Sequence, residues 1–326
     1  MAIHSKHARP RALITGLRGF TGEYLARELE SCGYEIFGTA FGNERLGKNI
    51  TYLDLCDFNA VQNLVREIEP DVVAHLAAIS FVPHADLGAM YRINVDGTEN
   101  LLRGLASLAY PPRSVLLASS ANIYGNVEVE SLSETQCAQP SNDYAKSKLA
   151  METLAHGWMD QLPLFITRPF NYTGVGQSDN FLIPKIIAHA RRFAPTIELG
   201  NLDVARDFSD VRTVVKAYSA LLRKAPRGQT FNICSGHAHT LREVITMVEE
   251  ISSHMMQVRV NPAFVRPNEI HILKGDPSKL QHSIGTLPQI PLRETLAWML
   301  GMQAAVTDSR VLQKTLRAQE LAEVIG

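Results

Sequence analysis

A short apolar run, Arg11 to Thr15, leads directly into TGLRGFTG (Thr15 to Gly22), and an amphipathic stretch follows from Phe20 to Cys32. Glycines at 16, 19 and 22, set between a strand and a helix, constrain the fold more than any other feature of the chain. In such a turn Gly16 permits the tight bend, Gly19 lets a pyrophosphate approach the backbone, and Gly22 lets helix and sheet pack closely. The helix N-terminus adds amide donors and the positive end of its dipole. A dinucleotide site is therefore expected here, with Arg18 and Phe20 inside it.

The alternation continues down the chain. Strands are predicted over Tyr34 to Thr39, a short run leading to Leu53, Asp54 and Leu55, then Asp71 to Leu76, Ser114 to Ser119 and Pro163 to Arg168. Between them, helices are predicted over Phe58 to Glu69, Ala85 to Ser107 and Asp143 to Gln161. This order implies an α/β fold with a parallel, doubly wound (Rossmann) sheet, whose ligands bind outside the carboxyl ends of the strands. Adenosine ribose would sit at the end of the second strand, where NAD-preferring folds usually place an acid. Here the residues are Gly38, Thr39 and Ala40, while Arg18 and Arg45 can meet a 2′-phosphate. NADP is favoured, with NAD still possible.

At the end of a later strand stands ASSANIYG (Ala118 to Gly125), and DYAKSK (Asp143 to Lys148) follows after a loop. On a helix, Tyr144 and Lys148 lie one turn apart on one face. A phenol titrates near 10, too high for acid–base work at neutral pH, and a neighbouring ammonium is expected to lower it. A serine hydroxyl from the strand end can bond the same substrate oxygen that the tyrosine protonates. Asn142 or Asp143 can cap this helix.

A net charge of −1, with 20% charged residues, leaves no field for nucleic acid or an acidic membrane surface. No apolar run is long enough to span a bilayer, and MAIHSKHARPR has no signal segment, so a cytoplasmic protein is expected. The four cysteines are scattered, without disulfide or zinc spacing. In CSGHAHT, Cys234, His237 and His239 lie close together but lack partners for a metal, and the segment reads as a loop. No metal is expected. His75 reads as a packing or cofactor-lining residue.

With these motifs in hand, the chain resembles the extended short-chain dehydrogenase/reductase family, in its sugar-nucleotide branch. TGLRGFTG, LDL (Leu53 to Leu55), HLAA (His75 to Ala78), SSANIYG, YAKSK and RPFN (Arg168 to Asn171) carry the resemblance. It implies that Ser120, four residues before Tyr124, is the catalytic hydroxyl, Tyr144 the acid–base and Lys148 its partner and a nicotinamide-ribose ligand. It also places Asp54, Leu55, Leu76, Ala77, Ala78, Asn94 and Phe170 on the cofactor side, Asn94 tying strands to the catalytic loop. Motifs in the second half (RPFNYTGVGQ, GNLDVARDFSDV, FNICSG, RPNE, GDPSKL) resemble GDP-mannose-type enzymes, the 4,6-dehydratases and the related reductases. By that resemblance Asn171, Arg206 and Arg266 would hold the GDP-sugar pyrophosphate, Glu269 the ribose hydroxyls, and Lys185 would help read guanine. Dehydratases of the family place a carboxylate base two residues after the catalytic hydroxyl. That position is Asn122, which lies against substrate but cannot act as a base, so reduction is favoured over elimination; a nucleotide-sugar epimerase recycling tightly held NAD is the alternative.

The expected division is a cofactor domain at 1–170, with returning elements near 211–233, and a substrate lobe at 171–326. The family commonly pairs through two helices, so a homodimer is expected. The tail after Val306 reads as a charged amphipathic helix.

Overall fold

The computed structural model describes residues 7–41, 49–80, 86–127, 129–265 and 270–301. Arg45, Arg266, Glu269 and the tail after Val306 lie outside them. The first half alternates as predicted: β1 (Arg11–Thr15), α1 (Phe20–Ser31), β2 (Glu35–Ala40), β3 (Ile50–Tyr52), α2 (Phe58–Ile68) and β4 (Val72–His75). Then come α3 (Leu87–Tyr91), α4 (Gly97–Ala106), β5 (Ser114–Ala118), α5 (Asp143–His156) and β6 (Leu164–Pro169). The second half adds β7 (Asn171–Thr173), α6 (Leu182–Arg191), β8 (Thr196–Leu199), β9 (Ala205–Asp210), α7 (Val211–Lys224) and β10 (Thr230–Ile233). It continues with β11 (Ala238–Thr240), α8 (Leu241–Ser252), β12 (Gln257–Val260), β13 (Ile272–Leu273), α9 (Ser278–Ile284) and α10 (Leu292–Leu300).

Seven strands form one parallel sheet in the order β10-β6-β5-β4-β1-β2-β3. Its centre is buried on both faces, which explains why β1, β4 and β5 read as apolar runs rather than as alternation. One face packs against α1 and α7, the other against α2, α4 and α5. The chain leaves this sheet after β6 and returns through α7 and β10. The intervening and following segments form a lobe whose core joins α6, α8 and α10 to β8 and β9. No helix among the described residues is long and apolar enough to cross a membrane.

Three local departures have physical causes. The short strand leading to Leu53, Asp54 and Leu55 stops at Tyr52 and a turn follows at Leu55 and Cys56: the Asp54 carboxylate accepts from the Cys56 amide at 2.9 Å and Asp57 caps α2, so short acidic side chains take the backbone donors. The predicted helix over Ala85 to Ser107 is broken in the middle by a π-helical turn, Arg92–Asp96, in which the Gly97 amide bonds back to the Arg92 carbonyl. And CSGHAHT is only partly loop, since Ala238–Thr240 pairs antiparallel with β9.

That pairing depends on Asp207. Its buried carboxylate accepts from the Ser235 amide (2.9 Å), the Ser235 hydroxyl (2.7 Å) and the Gly236 amide (2.9 Å), while burial pushes its pKa up. Asp207→Asn would point an N–H₂ group at donors. The expected loss is about 1–3 kcal/mol of stability, read as a lower urea midpoint at unchanged slope. An unchanged midpoint would show that the carboxylate is not the clamp.

Candidate active site

Beyond Ala118 the chain turns at Ser120, whose hydroxyl accepts from the Asn122 amide at 3.2 Å and caps the 3₁₀ turn Ala121–Tyr124. Asn142, not Asp143, caps α5, accepting from the Ala145 amide at 2.8 Å. Asp143 instead pairs with Lys146 at 3.2 Å on the surface. This start phases α5 so that Tyr144 and Lys148 both face the end of β5. Lys148 Nζ donates to the Ala118 carbonyl at 2.8 Å, and the Tyr144 and Ser120 side chains line the same cleft.

The electrostatics differ from the expectation that Lys148 lowers the Tyr144 pKa. Burial pushes the phenol up and the nearby Tyr172 pushes it further, with only partial relief from the Ser120 hydroxyl. Low-dielectric surroundings disfavour phenolate more than the neighbouring hydroxyl favours it. Tyr144 is thus held as a protonated donor. Burial also lowers Lys148, to about 8, against an opposing pull from Glu152. His75, buried between the Thr15 and Thr98 hydroxyls at 2.7 and 2.8 Å, is driven down to about 3 and stays neutral.

A cleft of about 520 Å³ opens over this group. Gly16, Gly19, Phe20 and Gly22 border one side, and Ser120, Asn122, Tyr144 and Lys148 the floor. Leu76, Ala78, Phe170 and Asn171 also line it. Ala77 supports the glycine loop from behind: a Cβ on Gly16 would lie 3.0 Å from its backbone.

Several residues assigned from the sequence make their contacts within the protein. Leu55 is buried in the core beneath α2 and α4, because the turn at 53–56 directs it inward. Asp54 is exposed and engaged with its own turn. Asn94 spends its amide on protein, bonding the Ile79 backbone (2.9 and 3.2 Å) and the Ser147 hydroxyl (3.0 Å), so it ties the β4 exit to α5. Arg18 is half exposed, 3.7 Å from Glu23. Lys185 donates to the Glu198 carbonyl at 2.8 Å and lies over Phe264, away from the cleft, which α6 meets instead through Leu182, Ile183 and Pro184. Arg206, on β9, donates to the Ala205 and His271 carbonyls.

Other cleft residues were not singled out from the sequence: Thr21, Ser80, Ser119, Tyr172 and Tyr218. Tyr172 stacks on Phe20 (6.1 Å between centroids, 13° between planes) and shares a 2.7 Å hydrogen bond with the Thr21 hydroxyl. Thr21 and Tyr172 were legible, since one lies in TGLRGFTG and the other in RPFNYTGVGQ. Tyr218 was not, because it sits in the apolar stripe of α7 like any core residue.

The glycine loop fits a dinucleotide. Gly16 has φ +72°, a conformation that favours glycine. Gly19 stands at the N-cap of α1 with no side-chain cap, leaving the first amides to a phosphate. A Cβ on Gly19 would meet only the Gly16 carbonyl, at 3.1 Å.

Known proteins agree with this architecture. The GDP-mannose 4,6 dehydratase family matches residues 13–299. GDP-6-deoxy-D-talose 4-dehydrogenase of Aggregatibacter actinomycetemcomitans is 37% identical, over 84% of this chain and 91% of its own. GDP-6-deoxy-D-mannose reductase of Pseudomonas aeruginosa is 33% identical, over 89% and 96%. Among solved structures, a candidate epimerase from Burkholderia cenocepacia is 48% identical with a TM-score of 0.85, covering 91% of this chain and 100% of that one. The Pseudomonas aeruginosa protein RMD, complexed with NADPH, is 30% identical with a TM-score of 0.78, covering 91% and 98%.

Proposed function

The chain belongs to the GDP-mannose 4,6-dehydratase family, within the extended short-chain dehydrogenase/reductases, and from that premise we propose that it reduces the C4 keto group of GDP-4-keto-6-deoxy-D-mannose to GDP-D-rhamnose, using NADPH. The observation that carries this reading is the site floor: Ser120, Tyr144 and Lys148 stand together, and Asn122 occupies the place of an eliminating base. The relative named as a GDP-6-deoxy-D-mannose reductase and the NADPH-bound neighbour support it.

When bound, the reduced nicotinamide supplies the hydride. The chain's own residues do the rest. Tyr144, held protonated by burial, donates its proton to the C4 oxygen as negative charge develops there. Ser120 bonds the same oxygen. Lys148, charged below about pH 8, is placed to hold ribose hydroxyls. Asn122 is at hand to bond the sugar but, as an amide, removes no proton, so loss of water has no catalyst. By the same reading Asn171 and Arg206 serve the GDP pyrophosphate, and the protein is a cytoplasmic homodimer paired through the helices at 87–106 and 143–156.

The relative named GDP-6-deoxy-D-talose 4-dehydrogenase favours a second reading with the same substrate class and opposite configuration at C4. The test is oxidation of NADPH and NADH with GDP-4-keto-6-deoxy-D-mannose generated in situ, with the product identified by NMR. Consumption of NADPH with GDP-D-rhamnose formed is the expected result. GDP-6-deoxy-D-talose as product would select the second reading. Interconversion of reduced GDP-sugars without net cofactor consumption would establish an epimerase instead.

A further inference from the structure

Three motif residues have no role in the chemistry above: Tyr124 of SSANIYG, Arg168 of RPFN and Asn232 of FNICSG. The structure brings them together behind the catalytic helix. Arg168 Nε and Nη2 donate to the two carboxylate oxygens of Glu152 at 3.0 and 2.7 Å, with side chains 11% and 1% exposed. Arg168 Nη1 donates to the Tyr124 hydroxyl at 3.0 Å, and that hydroxyl donates to Asn232 Oδ1 at 2.7 Å. The Asn232 backbone N–H donates to the Glu134 carboxylate at 2.7 Å, and its side-chain NH₂ to the Leu132 carbonyl at 2.8 Å.

Glu152 is the key member. It follows Lys148 by one turn of α5, the spacing at which glutamate and lysine ordinarily pair on a helix. They are not paired here. Both carboxylate oxygens are taken by a guanidinium fork, a geometry that an ammonium cannot reproduce, and Lys148 Nζ reaches the Ala118 carbonyl at the cleft floor instead. We infer that Arg168 is a positioning residue: by holding Glu152 at both oxygens it keeps that carboxylate away from Lys148 and leaves the ammonium facing the cleft. The inference rests on the proposed cofactor role of Lys148, but its first readout needs no ligand.

The charged or titratable groups acting on Lys148 are few. His75, from β4, is neutral in the working range, and Glu152 is the anion whose field favours the charged lysine. Tyr144, on the same helix face, is held protonated, and Arg168 and Tyr124 stand behind Glu152. Releasing Glu152 therefore has a defined sign: Lys148 gains an ion-pair partner and its titration midpoint rises.

The experiment is a pH titration of the lysine ε-carbon by NMR in ¹³C-lysine-labelled protein, with Lys148 assigned through Lys148→Met, followed by NADP⁺ affinity from calorimetry. In Arg168→Leu the midpoint is expected to rise by about one unit or more, and NADP⁺ to bind about tenfold more weakly, the scale of one lost charge-assisted hydrogen bond. Arg168→Leu combined with Glu152→Gln removes the competing carboxylate and should restore both. A role confined to packing would give no such rescue. If Arg168→Leu does not fold, Arg168→Lys decides, since it keeps the charge without the fork and should show a smaller rise. An unchanged Lys148 midpoint in the folded Arg168 variants overturns the inference. A raised midpoint with NADP⁺ affinity unchanged would leave the positioning intact and overturn the cofactor role of Lys148.

Discussion

Tyr144→Phe should lower kcat for reduction by about 10²–10⁴-fold, the usual yield of a positioned general acid, while NADPH binding and thermal stability stay close to those of the parent. The phenol hydroxyl faces the cleft beside Ser120, so its loss creates neither a core cavity nor an unpaired charge. Lys148→Met should cost a similar factor, but with part of the loss in KM for NADPH, since the ammonium is assigned to ribose. The two roles separate by pH. Lys148 is lowered to about 8 by burial, so it is charged below that pH and neutral above it. The parent's kcat/KM for NADPH should therefore fall as pH rises through about 8, and Lys148→Met should lack that limb. Tyr144 is raised and contributes no break there. Near-full turnover by Tyr144→Phe would remove the tyrosine from the mechanism.

Gly22→Ala is expected to be strongly disruptive to folding. A Cβ there would lie 2.4 Å from the Gly16 carbonyl oxygen and 2.6 Å from that of Leu17, both backbone atoms held by the turn. Relief requires α1 to move away from β1, at a cost of about 1–3 kcal/mol or more for overpacking. Gly19→Ala is the control. Its Cβ would meet only one carbonyl, at 3.1 Å, and otherwise face the cleft. Gly19→Ala should therefore fold with nearly the parent's melting temperature yet bind NADP⁺ poorly, whereas Gly22→Ala should lose both. Calorimetry and thermal unfolding of the two variants test the assignment. Equal melting temperatures would show that the packing role of Gly22 has been overstated.

The doubly wound sheet was legible because its buried parallel strands leave continuous apolar runs, and because the glycine triplet falls between a strand and a helix. Ser120, Tyr144 and Lys148 were legible because one strand end and one helix turn hold them within short motifs. What could not be read depends on direction rather than identity. Lys185 lies on the helix whose first turn meets the cleft, yet the side chain turns to the Glu198 carbonyl and the Phe264 ring. The sign of the Tyr144 shift does not follow from spacing, which reports a neighbouring charge and is silent about desolvation, the larger effect here.

The π-helical turn at Arg92–Asp96 lets one continuous rod serve two neighbours that want different phases. Upstream, α3 leaves Leu87 exposed; downstream, α4 buries Leu101, Leu102 and Leu105 against α2. The extra residue turns Asn94 inward at the junction, where it reaches both the β4 exit and α5. Excising a single residue from this turn would rotate one half of the rod by about 100° relative to the other. The amide brace and the leucine stripe could then no longer be satisfied together, so an apparently mild deletion outside the cleft would loosen the helix that carries Tyr144 and Lys148.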